Sequence, residues 1–273
     1  MRIIVALLLL GIFGTGCSNF GKVQKSKDYE YKLKMADKYY EQKRYNYAQQ
    51  LYEELFPIFK GTERFEELYY RFAYCNYYLH DYMSAENSFK SFVEVFPNSK
   101  RDEEMDYMRA YTFFKQSPKA ELDQTNTSKA IGFMQTFISN HPGSARIKEA
   151  TAIIDKCRAK LEVKDEKTAE LYFNLGQFKA AAITYNTLLN SYPDSEKSDT
   201  YKLQVIKSYY QYAMMSVDEK KEERFTQVIT ECNDFSDRFP DSKLKEEAQK
   251  YLTLSQTSIK NLKNNNEQTK KAA

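Results

Sequence analysis

The first residue whose setting could do chemistry is Cys17. It follows Gly14-Thr15-Gly16, small residues that close an apolar stretch from Ile3 to Phe13 begun by Arg2. A basic start, a short apolar run and small residues at a cleavage point are the parts of a secretory signal. A thiol at that point is a nucleophile able to carry acyl chains. The run is about half of the ~20 apolar residues a bilayer-spanning helix needs, so residues 1–16 read as a signal peptide rather than a membrane span. Other reactive groups are few. The two histidines, His80 and His141, stand in no H-E-x-x-H spacing, and His141 fills the aromatic slot of a repeated turn, a structural position. Cys75, Cys157 and Cys232 are far apart and form no C-x-x-C, so buried thiols are expected rather than disulfides or a zinc site. The eight glycines, half of them within the first 21 residues, form no G-x-x-x-x-G-K-[ST], G-x-G-x-x-G or G-x-S-x-G motif, so no phosphate cradle or nucleophile elbow is present. Glu53-Glu54, Glu66-Glu67 and Glu103-Glu104 fall in exposed helical phases beside basic residues. No catalysis, cofactor or metal is expected.

The elements that carry these residues are announced by a repeated box: Phe96-Pro97-Asn98-Ser99, His141-Pro142-Gly143-Ser144, Tyr192-Pro193-Asp194-Ser195 and Phe239-Pro240-Asp241-Ser242. Proline cannot extend a helix, and the serine oxygen can accept from the free N–H groups that open the next one. Each box therefore reads as a helix stop followed by a helix start. Phe56-Pro57 with Gly61-Thr62 is a fifth, variant junction. Upstream of each box a small residue, a large residue four later and a proline eight beyond match the tetratricopeptide pattern: Ala85, Phe89, Pro97; Ala181, Tyr185, Pro193; Ala130, Met134, Pro142. Val228, Cys232 and Pro240 keep the offsets in the last unit, and Ala36, Tyr39, Ala48 and Tyr52 fit the first. The expected fold is all-α, a tetratricopeptide-type right-handed solenoid of about five helix pairs plus a C-terminal capping helix over Leu244 to Leu262. Polar residues Lys115 to Ser128 lengthen one inter-helix loop, and Ala145 to Leu175, free of Pro and Gly, reads as one long helix.

Tyrosine is in excess, at 23 residues, while Trp is absent. Tyrosine combines contact area, a hydrogen-bonding tip and little rotamer entropy to lose. In this repeat class the first helix of each pair lines the inner groove, and the phase set by Ala36 and Ala73 turns Tyr40, Tyr70, Tyr74 and Tyr77 toward it. These four are the candidate peptide-binding residues, with inter-repeat packing the competing role.

Composition bounds the rest. Forty-one basic and 38 acidic residues leave a net charge of +3, too small a field to gather phosphate backbones, so nucleic acid is not an expected partner. The organisation reads as signal peptide 1–16, a linker 17–27 that is lipidated if the lipobox resemblance below holds, repeat body 28–263 and a disordered polar tail 264–273.

Gly14-Thr15-Gly16-Cys17 resembles the bacterial lipobox, with Gly14 where Leu is usual; the resemblance implies cleavage before Cys17 and palmitate-type acylation of it. Lipobox, five helix pairs with [FYH]-P-x-S boxes and no catalytic constellation together resemble the BamD family of outer-membrane protein assembly factors. The resemblance implies a lipid-anchored, periplasm-facing outer-membrane protein that docks on the periplasmic domains of the β-barrel insertase and receives unfolded outer-membrane proteins. Periplasmic repeat proteins of peptidoglycan synthesis and cell division share the boxes but usually add an N-terminal coiled coil, for which the first repeat, beginning near Asp28, leaves no heptads.

Overall fold

The structure, a computed structural model, describes the backbone of residues 17–272 and the side chains of 20–265; the expected signal segment 1–16 lies outside the described residues. All regular structure among them is helical: α1 Cys17–Gln24, α2 Tyr29–Glu41, α3 Tyr45–Phe59, α4 Phe65–Tyr78, α5 Tyr82–Val95, α6 Asp102–Gln116, α7 Thr125–Asn140, α8 Ile147–Asn174, α9 Phe178–Ser191, α10 Ser198–Met214, α11 Asp218–Arg238 and α12 Lys245–Ala272. From α2 to α11 these are five tetratricopeptide-type pairs, with α12 last.

The boxes work as their chemistry demands, and identically each time. The serine Oγ accepts from the backbone N–H two residues on: Arg101 onto Ser99 (3.0 Å), Arg146 onto Ser144 (3.0 Å), Lys197 onto Ser195 (3.1 Å) and Leu244 onto Ser242 (3.0 Å). The hydroxyl proton goes elsewhere, to a carboxylate on the first helix of the preceding pair: Glu66 (2.7 Å), Glu103 (2.5 Å), Glu162 and Asp199 (2.6 Å) respectively. One serine thus closes the turn that leads into the incoming helix and ties that turn to the helix one pair back. The small residues that let helices of a pair approach, Ala36, Ala48, Ala73, Ala85, Ala130, Ala169 and Ala181, are all fully buried.

The chain divides into two compact units, Met1–Arg158 and Ala159–Ala273. In the first, one core gathers Val23, Leu33, Tyr52, Leu55, Phe65, Leu68 and Cys75, and another Phe89, Phe92, Met105, Tyr107, Met134, Phe137 and Cys157. In the second, Ala169, Tyr185, Leu188 and Tyr201 form one cluster, and Leu203, Ile206, Val228, Cys232 and Phe235 another. Lys202, only 3% exposed, meets Glu231 at 2.5 Å and also Asp234 across α10 and α11, so the buried cation is fully paired. Cys75, Cys157 and Cys232 are buried and joined by no disulfide. Burial pushes the thiols of Cys75 and Cys232 up to about 12, which leaves them unreactive.

Three local expectations meet a different outcome. Residues 17–24, within the expected linker, form α1: Val23 is 2% exposed, and the Phe20 ring lies 4.4 Å from that of Tyr47. Two apolar residues three apart suffice to seat a short helix, although they are too few to register as a period. Residues 264–272, expected as tail, continue α12, whose polar sequence holds no Pro or Gly to stop it. The variant junction also shifts. α3 runs through Pro57 to Phe59 and its exit is made at Gly61, φ 84°, a left-handed backbone that glycine adopts without strain.

Candidate functional site

Tyr70, Tyr74, Tyr77 and Tyr78 follow one another at spacings of four, three and one on α4, which puts three of them on a single face. The first unit repeats this face with a 37-residue offset: Tyr70 and Tyr74 correspond to Tyr107 and Tyr111 on α6, while Tyr77 corresponds to Tyr40 on α2 and Phe114 on α6. The rings join into a continuous array. Tyr40 meets Tyr45 at 5.6 Å, Tyr45 stacks on Tyr78 at 4.5 Å, Tyr78 lies 5.8 Å from Tyr74, and Tyr74 lies 4.8 Å from Tyr70. Tyr77 links Tyr78 (5.5 Å), Tyr82 (5.8 Å) and Tyr111 (6.4 Å).

The four tyrosines selected from sequence thus lie in one array, but they are not alike. Tyr74 is 7% exposed and its hydroxyl donates to Glu104 Oε1 at 2.5 Å, which makes it floor rather than contact surface. Tyr40, Tyr70 and Tyr77 are half-buried and keep an open edge. Tyr78, Leu79 and Met83, the last 72% exposed, extend the apolar surface at the α4–α5 turn. Sequence reasoning left Tyr45, Tyr78, Tyr82 and Tyr111 out of the site; the 37-residue offset would have found Tyr111, whereas Tyr45 and Tyr82 open second helices and arrive only by packing. His80, between these rings, holds φ 61° and places its Nδ1 2.7 Å from the Tyr82 hydroxyl, an aromatic turn residue.

A chain of charges borders the array. Arg101 lies 4.1 Å over the Tyr70 ring and reaches Glu67 at 2.6 Å; Glu67 also binds Arg71 (2.6 Å), which pairs with Asp37 (3.2 Å) and covers Tyr40 at 5.4 Å. Burial by itself raises the Glu67 carboxyl, but the hydrogen bonds and charges of Arg71 and Arg101 outweigh it and hold the group below its usual range. Burial pushes the Tyr77 hydroxyl up to about 12, with Tyr111 and Tyr82 adding, and raises Tyr40, Tyr70 and Tyr74 as well. Tyr40 and Tyr77 therefore bring neutral, protonated hydroxyls to an apolar surface rimmed by arginine, while the hydroxyls of Tyr70 and Tyr74 are committed to Glu104. Such a surface suits a segment that brings both apolar side chains and unpaired backbone carbonyls.

No helix among the described residues is long and apolar enough to cross a membrane. Of solved structures, the chain is similar to the TPR2AB domain of yeast Sti1 in its pHSP90 complex: 14% identity, 85% of this chain and 84% of that one, TM-score 0.40. It is also similar to the TPR domain of P58(IPK): 13% identity, 89% of this chain and 59% of that one, TM-score 0.40. None of the curated proteins matches it. Residues 25–224, the repeats from α2 into α11 together with the run-in to them, match the family model YfiO, described as outer membrane lipoprotein. With the box-linked helix pairs, that match identifies the chain as a member of the YfiO, BamD-like family of outer membrane lipoproteins.

Proposed function

We propose that the protein is a non-catalytic scaffold of the outer-membrane β-barrel assembly machinery, anchored through acylated Cys17, facing the periplasm, docking on the barrel insertase and receiving unfolded barrel precursors. The observation that carries this reading is the family match over residues 25–224. The tyrosine array supports a receiving role: an unfolded barrel strand alternates apolar and polar side chains and leaves its backbone groups unpaired, and an aromatic surface with hydroxyl donors serves both.

Affinity capture from gently solubilised envelopes through a C-terminal tag, with partners identified by mass spectrometry, tests it. Stoichiometric recovery of a large outer-membrane β-barrel with periplasmic domains is the expected result. Recovery of peptidoglycan synthases or division proteins without that barrel overturns the assembly role and leaves the fold and family untouched.

A further inference from the structure

The box of the third pair departs from its sisters in a way that points to a ligand. In the second pair the box residue Phe96 packs on Phe65 (5.6 Å) and Tyr69 (6.0 Å), the positions one before and three after Glu66, which takes the Ser99 hydroxyl. Counted from Glu103, the acid that takes the Ser144 hydroxyl, the same positions of the third pair are Asp102 and Asp106, and the box residue is His141. All three corners of an aromatic cluster are thus replaced together by metal-ligating side chains. The fourth pair closes the corresponding corner with a hydrogen bond instead, Tyr192 to Asp165 at 2.9 Å.

The geometry of the third corner is convergent. One oxygen from each of Asp102 and Asp106 and one ring nitrogen of His141 lie within 4.8 Å of one another, all three residues are half-buried, and His141 Nε2 stands 3.0 Å from Asp106 Oδ2. Ligand atoms around a tetrahedral ion at ~2.1 Å stand about 3.4 Å apart, so a small turn of the Asp102 side chain closes the set. Two carboxylates share this corner, and neither is ion-paired to a lysine or arginine among the described residues. A divalent ion would supply the charge this corner lacks.

We propose that Asp102, Asp106 and His141 bind a divalent first-row transition ion, with Zn²⁺ the probe, which clips the start of α6 to the end of α7. The donor set selects the class: one imidazole with two carboxylates suits zinc-like ions and leaves a fourth position for water, whereas three ligands including a nitrogen are too few for the six to eight oxygens of Ca²⁺. This clip is independent of the assembly role.

The test uses the tag-free mature chain, stripped with chelator and titrated with ZnCl₂ by calorimetry and thermal melting. The expected result is one equivalent bound per chain and a melting temperature raised by about 5 °C when free Zn²⁺ exceeds Kd about a hundredfold, with Mg²⁺ inert. Asp106→Asn and His141→Phe, the latter installing the box residue of the second and fifth pairs, abolish both responses. Co²⁺ bound to the wild type shows visible ligand-field bands that His141→Phe removes, a readout that does not depend on stability. If the wild type binds no zinc, or if both variants bind it as the wild type does, the proposal is overturned.

Discussion

At the scale of single residues the tyrosine array separates into floor and surface. Tyr74, with its ring against Phe89 at 5.4 Å and its hydroxyl on Glu104, is packed as core, whereas Tyr77 keeps an open edge. Tyr74→Ala leaves a cavity and strips Glu104 of its shorter hydroxyl donor, with Tyr70 remaining at 3.3 Å, and should cost about 3 kcal/mol of stability. Tyr77→Ala removes ring contact from a half-exposed site and should cost under about 1 kcal/mol, while weakening capture of a urea-diluted, unfolded barrel precursor severalfold. Thermal melts and precursor pull-downs on both variants decide the matter. A Tyr77→Ala protein that melts much lower, or one that is stable and captures precursor normally, removes Tyr77 from the binding surface. The four tyrosines could be selected from sequence because a helical phase follows from the small residues that fix it. The division among them could not, since Tyr70, Tyr74 and Tyr77 are covered by Arg101, Glu104 and Tyr111 from farther along the chain, and Tyr40 by Arg71 and Tyr45.

Among elements, the serine of each box carries more than the proline beside it. Proline ends a helix, but the serine shapes the turn into the next and what it is tied to, because its lone pair takes the N–H two residues on while its proton reaches back one pair. Ser99→Ala and Ser144→Ala each strip a turn hydrogen bond and a charge-assisted hydrogen bond, and each should lower stability by about 1 kcal/mol, a drop of roughly 2–4 °C in melting temperature. The same substitution at Ser242 should act alike in the second unit. If all three leave the melt unchanged, the repeated geometry is decoration. The stop and the serine turn were legible because both are local chemistry within four residues. The acid that receives the proton lies 33 to 43 residues earlier and looks, in sequence, like any solvated glutamate or aspartate. The corner of Asp102, Asp106 and His141 was hidden for the same reason, and the imidazole reads alone as an aromatic substitute. α1 escaped because its burial rests on Phe20 and Val23 meeting α2 and α3, and two residues make no period.

For the whole molecule the deciding question is how a highly polar chain, mean hydropathy −0.72, stays at a membrane. No described helix can span one, and the net charge of +3 is too small for electrostatic attraction to hold the body at an anionic surface. The acyl chains proposed on Cys17 would be sufficient. Each buried methylene contributes about 0.8 kcal/mol, so one chain binds reversibly and two or more hold durably, whatever the fold they carry. Cys17→Ser keeps every repeat, box and tyrosine intact and removes only the thiol proposed to carry the acyl chains. It should remove the protein from the outer-membrane fraction, leave a precursor heavier by the uncleaved 1–16 segment and held at the membrane only by the apolar run Ile3 to Phe13, and preserve the helical circular dichroism of the wild type. The same heavier precursor should accumulate in wild-type cells treated with an inhibitor of lipoprotein processing. A Cys17→Ser protein that sediments with the outer membrane in full, while free of its insertase partner, would mean that the body itself contacts lipid. The anchor would then have to be sought on the repeat surface, beginning with the exposed Tyr78, Leu79 and Met83.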